Sequence, residues 1–186
     1  MGMYGWGKTN MDDLTASVQA AFESGINFFD TAATYGLGVS ETILGKALGK
    51  NRSKVVISDK FGVRAEQGKP TVYDNSKEYI ISACEESLKR LGTDYIDIYT
   101  VHYRDGVTPL AEVVQTLETL RSQGKIRYFA LSNVHACDMD EIRECSKYFV
   151  SVQNEYSLAC RKFESELLAF RDEYGLTQSD RRAHRL

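Results

Sequence analysis

The sequence predicts an α/β fold of the (β/α)8 TIM-barrel type. Five strand-like apolar runs alternate with helical patterns, and each run ends on a polar residue that suits chemistry. The carboxyl ends of parallel barrel strands converge on one face, where active sites form. The residues that end the five runs are Asp30, Lys60, His102, Ser132 with Asn133, and Gln153. We therefore expect these side chains to share one site.

Length and composition indicate an ordinary soluble domain. The chain has 186 residues, 42% of them hydrophobic and 26% charged, with a net charge of −3, which suits one domain with a real core. No basic face is evident in the sequence, so we expect no nucleic-acid partner. No apolar run approaches ~18 residues and the first residues lack a signal-peptide layout, so we expect no membrane contact and a cytoplasmic location.

The cysteine pattern predicts neither a metal site nor a redox motif. Cys84, Cys137, Cys145 and Cys160 form no C-x-x-C pair, and the three histidines do not complete a zinc set. Cys84 and Cys145 lie in helical patterns, where a small apolar side chain packs well. A reduced, cytoplasmic setting fits this usage best.

The first helices follow from capping signals. Residues 3–7 are a candidate first strand. Asn10 is a suitable N-cap for a helix over residues 11–24, because its side-chain oxygen can accept from a free backbone N–H. Ser40 is expected to cap a second helix that ends near Gly49.

Later helices and one long loop complete the pattern. Ser76 begins a third helix, and Pro109 fits the first turn of a fourth because its missing N–H is unpaired there anyway. The polar segment 62–75 is predicted to be a loop after the third strand, where barrels build substrate pockets. The third to sixth helices are predicted over residues 76–92, 108–124, 138–148 and 163–174.

The pattern contains about six strand–helix units, so the last two units of a barrel are expected to be missing. A closed barrel needs eight units and typically ~250 residues. Residues 178–186 lack strand character and are predicted to form an unstructured arginine-rich tail after a barrel-like domain over 1–177. An incomplete barrel exposes strand edges, so a homo-oligomer formed through those edges is a further expectation.

Five motifs in order resemble the aldo-keto reductase family, and the resemblance runs from about residue 3 to 177. Any one of these motifs is a weak signal, but five in the right order are specific. The matching segments are 25–32 with Tyr35-Gly36 and Ser40-Glu41, Lys60-Phe61-Gly62, 97–102, 124–133 and 153–157. The resemblance implies reduction of aldehydes and ketones with NADPH.

The resemblance implies a catalytic group of Asp30, Tyr35, Lys60 and His102, with Tyr35 as proton donor. A nearby ammonium favours the phenolate form of a tyrosine, and an imidazole can stabilise charge on a carbonyl oxygen. Taken singly, each residue has a plainer role as a cap, a surface lysine, a packing aromatic or a structural histidine. Their combination at successive strand ends favours catalysis.

The resemblance also implies contacts to the cofactor and to a small carbonyl substrate. Ser132, Asn133 and Gln153 are expected to bind the nicotinamide carboxamide of NADP, because an amide needs both donors and acceptors. Residues expected to line the substrate pocket are Trp6, Phe61 and Tyr103.

Two functions remain open at this point, and a third is remote. The family's last two strands carry most contacts to the cofactor phosphates, and their absence leaves cofactor affinity and the choice between NADP and NAD undecided. The chain is either an NADP(H)-dependent reductase or a catalytically inactive, truncated relative that acts as a binding or regulatory subunit or is a remnant. A lyase that forms a Schiff base on Lys60 is the remote alternative.

Overall fold

The computed structural model describes residues 10–156, 161, 172 and 177–181. Its strands are β1 Phe28–Asp30, β2 Val56–Phe61, β3 Val63–Arg64, β4 Val72–Tyr73, β5 Ile96–Val101, β6 Ile126–Ser132, β7 Phe149–Glu155 and β8 Thr177–Arg181. Six of them form one parallel sheet in the order β1-β2-β5-β6-β7-β8. This parallel sheet with intervening helices confirms the predicted (β/α)8 TIM-barrel type, of which the chain supplies a part.

The helices begin and end largely where capping signals predict. Asn10 Oδ1 accepts from the N–H of Asp12 at 3.0 Å, and Ser76 Oγ accepts from Tyr79 at 3.4 Å. Gly92 ends its helix in the left-handed conformation, with φ of +63°, which costs glycine little because it has no Cβ. The five helices of the described residues are α1 Met11–Glu23, α2 Val39–Leu48, α3 Lys77–Leu91, α4 Leu110–Ser122 and α5 Met139–Cys145.

Ser40 is not the cap of α2, contrary to the prediction. The helix begins two residues earlier, at Val39 after Gly38, whose φ of +90° turns the chain into the helix. Ser40 therefore lies in the first turn, and its hydroxyl shares a 2.9 Å hydrogen bond with Thr31. Similarly, Pro109 occupies the cap position of α4 instead of the first helical position.

Two segments that the sequence assigned to loop or tail contain strands. Segment 62–75 carries the antiparallel hairpin of β3 and β4. The prediction of an unstructured tail is wrong for residues 178–181, which continue β8 and pair in parallel with β7. Polar strands without apolar alternation owe their conformation to the neighbouring strand, which sequence periodicity does not register.

Several predictions fall on residues that the structure does not describe. Residues 3–7, the tail end 182–186, Cys160 and almost all of the expected helix 163–174 lie outside the described residues. In the part of the chain that is described, no helix is long and apolar enough to cross a membrane. The homo-oligomer stays a prediction.

The hydrophobic core lies between the sheet and the helices. Cys84 and Cys145 are buried in it, as predicted from their helical patterns. Because successive strand residues point to opposite faces, Ile57 and Phe61 of β2 face this core while Lys60 points to the other side of the sheet. The largest buried apolar side chains include Ile80, Ile96, Leu110, Leu117, Leu120, Ile126 and Phe129.

Candidate active site

Lys60 and Asp30, both predicted to be catalytic, form an ion pair at the carboxyl ends of β1 and β2. The Lys60 ammonium lies 2.5 Å from both carboxylate oxygens of Asp30 and donates to the Thr31 carbonyl at 3.0 Å. The Lys60 side chain is only 1% exposed, whereas that of Asp30 is 31% exposed. The lysine charge is thus held from inside the protein, and the carboxylate borders the solvent.

Tyr35 and His102 lie beside this ion pair. The Lys60 ammonium is 5.2 Å from the centroid of the Tyr35 ring, and the Tyr35 and His102 rings are 6.0 Å apart at an angle of 86°. Tyr35 belongs to the turn after β1, in which its N–H donates to the Ala32 carbonyl. His102 directly follows β5 and is buried. The four predicted catalytic side chains are therefore neighbours.

The three predicted cofactor-binding residues join the same site. The Asn133 side-chain amide donates to the His102 carbonyl at 2.8 Å and to Ser132 Oγ at 3.1 Å. The Asn133 backbone, at φ of +51°, donates to the Gln153 carbonyl at 2.9 Å. Gln153 Nε2 in turn donates to Asp30 at 3.2 Å.

The contact between Gln153 and Asp30 also reports the curvature of the sheet. β7 is four strands away from β1 in the sheet order, which corresponds to about 19 Å in a flat sheet. A side-chain hydrogen bond of 3.2 Å across that distance requires the sheet to curl strongly. The curvature places polar side chains from β1, β2, β6 and β7 around one space.

The three predicted pocket residues have different outcomes. Tyr103 lies at the site, with its ring 5.0 Å from the His102 ring. Phe61 does not line the pocket, because it follows Lys60 in β2 and therefore points to the opposite face, where it stacks on Tyr99 at 4.6 Å and is 1% exposed. Trp6 lies outside the described residues.

Sequence reasoning missed the two residues that organise the rim of the site, Tyr73 and Asn75. The Tyr73 ring lies 5.2 Å from the Tyr103 ring and extends the aromatic wall that begins at His102. Asn75 is fully buried and donates to the Tyr103 carbonyl at 3.1 Å, while its Oδ1 accepts from Asp105 N–H at 2.9 Å. Asn75 thereby fastens the segment after β2 to the segment after β5.

Two local features explain this fastening. Gly62 has φ of +94°, and a Cβ there would lie 2.6 Å from the Asn75 side chain, so glycine permits the close approach. Burial would raise the pKa of Asp105, but N–H donors from Thr108 and Asn75 and the Thr108 hydroxyl outweigh it and lower that pKa. The only sequence signal was a polar segment before a helix cap, which does not reveal a partner 30 residues away.

The chemistry available at this site follows from its groups. A phenol, an ammonium and an imidazole around one space can deliver a proton to an oxygen and stabilise negative charge on it. The amides of Asn133 and Gln153 offer donors and acceptors of the kind that a ligand carboxamide needs.

Comparison with known proteins gives a consistent result. The Aldo/keto reductase family model matches residues 1–178. The chain is 39% identical over 163 residues to the probable aldo-keto reductase 1 of Glycine max, which covers 86% of this chain and 46% of that protein. It is 41% identical over 167 residues to the NADH-specific methylglyoxal reductase of Escherichia coli, with 82% of this chain and 50% of that protein covered.

Solved structures agree in fold. The holo form of aldo-keto reductase AKR11C1 from Bacillus halodurans has a TM-score of 0.86 and 34% identity, covering 93% of this chain and 58% of its own. An aldo/keto reductase from Klebsiella pneumoniae, solved with NADP and acetate, has a TM-score of 0.81 and 30% identity, covering 97% and 62%. The chain spans about half the length of the curated relatives it matches.

Proposed function

Because the chain belongs to the aldo/keto reductase family, we propose that it reduces the carbonyl group of small aldehydes or ketones with hydride from NADPH, with Tyr35 as the proton donor. The observation that carries this proposal is the buried Lys60 ammonium, 2.5 Å from Asp30 and 5.2 Å from the Tyr35 ring. Such a cation can stabilise the negative charge that the tyrosine oxygen carries once its proton has passed to the substrate.

Each of the four side chains has a distinct task in this reaction. Tyr35 gives its proton to the carbonyl oxygen as the alcohol forms, and Lys60 stabilises the resulting phenolate. Asp30 keeps Lys60 in place through two hydrogen bonds. His102 donates a hydrogen bond to the same oxygen and stabilises the charge that develops there.

The polar residues after β6 and within β7 fit the nicotinamide end of the cofactor. A carboxamide carries one acceptor oxygen and two N–H donors, and Ser132, Asn133 and Gln153 supply hydroxyl and amide groups that complement both. The nicotinamide supplies the hydride when it is bound. NADP is proposed because the Klebsiella pneumoniae structure holds it, although the Escherichia coli relative is NADH-specific. The described cysteines are free, which fits a cytoplasmic protein.

The test measures cofactor binding and turnover separately. NADPH and NADH are titrated into the 186-residue chain by fluorescence, and oxidation of NADPH is then followed with a panel of aldehydes and ketones. Tyr35→Phe is expected to bind NADPH normally but to lose about 10²–10⁴-fold in kcat, the usual contribution of a proton donor. Tyr148→Phe is the matched control, because Tyr148 precedes β7 at the amino ends of the strands.

Three results would contradict the proposal. Turnover unaffected by Tyr35→Phe would remove Tyr35 from its role, and binding of NADH alone would overturn the choice of cofactor. Saturable NADPH binding with no turnover of any carbonyl would instead favour the inactive binding or regulatory relative.

A further inference from the structure

A buried carboxyl group lies directly behind the catalytic face of β2. Asp59 precedes Lys60 and points to the opposite side of the strand, towards α2 and α3. It is 0% exposed. Its Oδ1 accepts from the Lys60 N–H at 2.8 Å, and its carboxyl group faces Glu41 and the Ser87 hydroxyl, although within the described part of the chain its Oδ2 makes no hydrogen bond of normal geometry. An unpaired, buried carboxylate oxygen is costly, so the protonation state of Asp59 needs an explanation.

A second buried carboxyl group stands beside it, already paired with an arginine. Glu41 in the first turn of α2 has a side chain with 0% exposure. Arg90 of α3 holds it with two bonds, from Nε at 2.6 Å and from Nη2 at 3.2 Å. Arg90 also donates to Ser87 and to the exposed Glu86. The Arg90 guanidinium is therefore paired with Glu41 rather than with Asp59.

The charges around Asp59 favour a neutral acid. Burial and then the neighbouring charge of Glu41 raise the pKa of Asp59 well above its ordinary value, as expected for two carboxyl groups at one buried place. The other titratable groups near it are Tyr99 of β5 and Cys84 of α3. Burial raises the pKa of Tyr99 and raises that of Cys84 to about 12, so neither is charged near neutral pH.

The first turn of α2 connects this cluster to the catalytic face. Next to Glu41, Ser40 shares a hydrogen bond of 2.9 Å with the Thr31 hydroxyl and donates its N–H to the Tyr35 carbonyl at 3.2 Å. The Thr31 carbonyl in turn accepts from the Lys60 ammonium. Whatever fixes the first turn of α2 therefore fixes the segment that carries Tyr35 and one acceptor of Lys60.

We propose that Asp59, which accepts the Lys60 N–H and faces the Glu41–Arg90 ion pair, is a positioning residue for Tyr35 and Lys60, and that adding a negative charge at Asp59 loosens the first turn of α2. A protonated Asp59 can donate to the Glu41 carboxylate. An ionised Asp59 would instead compete with Glu41 for Arg90. The effect on catalysis rests on the proposed reductase function, whereas the effect on protonation and stability does not.

The first experiment measures thermal unfolding of the wild type and Asp59→Asn between about pH 5 and 9. Asn has the shape of the neutral acid and does not ionise. In the wild type the folded state keeps a proton that the unfolded state releases above its ordinary pKa, so wild-type stability falls as pH rises until the folded pKa is reached. The Tm of Asp59→Asn minus that of the wild type should therefore increase by about 3–5 °C for each unit by which pH rises over that window.

A matched control isolates this linkage from other titrations. Asp140 has a side chain that is 98% exposed, so Asp140→Asn should follow the wild-type pH profile. A Tm difference between Asp59→Asn and the wild type that does not change with pH would overturn the proposal. A carboxyl-carbon NMR titration of the wild type covers the case in which the variant does not fold. Retention of the Asp59 proton at neutral pH supports the proposal, and titration near its ordinary value overturns it.

The second experiment asks whether protonation of Asp59 reaches Tyr35. A 4-fluorophenylalanine at position 35, which has no ionisable group of its own, is followed by fluorine NMR as pH rises, and its shift should follow the titration of Asp59 when residue 59 is Asp but not in Asp59→Asn. In parallel, kcat for carbonyl reduction should fall less steeply at alkaline pH in Asp59→Asn than in the wild type, while KM changes little; the part of the decline that remains belongs to Tyr35 itself. Absence of wild-type turnover refutes the proposed function alone, because the NMR result still decides the positioning role. An unresponsive signal at position 35 overturns that role.

Discussion

Replacing Asp30 with Asn should destabilise the fold more than removing the lysine it faces. The Lys60 side chain is 1% exposed, and its ammonium lies 2.5 Å from Asp30. In Asp30→Asn the ammonium keeps the Thr31 carbonyl as an acceptor at 3.0 Å but loses its counter-charge. A buried charge without a partner is costly because the interior does not replace its hydration.

The structure sets the size of this effect. Breaking a buried ion pair by removing one partner costs about 3–5 kcal/mol. The Asp30 side chain is 31% exposed, so solvent softens the loss, and we expect about 2–3 kcal/mol for Asp30→Asn. Lys60→Met leaves Asp30 at the solvent with Gln153 Nε2 as a donor 3.2 Å away, so we expect about 1 kcal/mol.

Urea unfolding of the two single variants and of the double variant provides the assay. The double variant should be close to Lys60→Met alone, because removing the ammonium also removes the penalty that Asp30→Asn created. Such strong non-additivity is typical of residues in direct contact. Thermal unfolding should agree, with a loss of about 4–12 °C for Asp30→Asn.

Two outcomes would refute this reasoning. Equal losses for the two single variants would show that the counter-charge is not what Lys60 requires. Additive losses in the double variant would show that the two side chains do not depend on each other for stability.

Two further predictions concern the packing that holds the site together. In Gly45→Ala the new Cβ would lie 2.1 Å from the Leu91 carbonyl oxygen, so α2 must move away from α3. We expect the free energy of unfolding in urea to fall by more than about 3 kcal/mol. Gly68→Ala is the control, because no atom lies within 4 Å of its new Cβ, and it should cost only local backbone strain. Asn75→Ala should cost about 1–3 kcal/mol because two half-buried backbone groups, the Tyr103 carbonyl and the Asp105 N–H, lose their partners. Asn75→Asp should recover only the bond to the N–H of Asp105; equal losses for both variants would contradict the two-sided role of Asn75.

Strand ends were predictable from the sequence because one physical rule covers them. A parallel sheet brings the carboxyl ends of its strands to one face. The position of Asp30, Lys60 and His102 at the ends of apolar runs was therefore enough to predict that they lie together. The same local view failed at Phe61, which adjoins Lys60 in sequence but points into the core. Proximity in sequence and proximity at the site differ there because successive strand residues alternate between faces.

Features that depend on distant partners were not predictable from local pattern. Asn75 owes its role to Tyr103 and Asp105, which no periodicity or spacing connects to it. β8 contains no apolar alternation and is ordered by its pairing with β7. Ser40 has the residue type of a cap, but the left-handed Gly38 before it moves the helix start and frees its hydroxyl for Thr31. In each case tertiary contacts decide between conformations that the local sequence leaves open.

The side chains of β2 alternate between the two faces of the sheet, so the backbone of Lys60 is contacted from the face opposite to the site. Lys60 needs a rigid backbone behind it, because its ammonium must stay within hydrogen-bonding distance of both Asp30 and Thr31. On the other face Asp59 accepts the backbone N–H of Lys60 and faces the Glu41–Arg90 pair. An aliphatic residue in its place would fill the space but would accept no bond from that N–H. A polar group behind the strand therefore fixes the backbone of Lys60 directly, which apolar packing alone would not do.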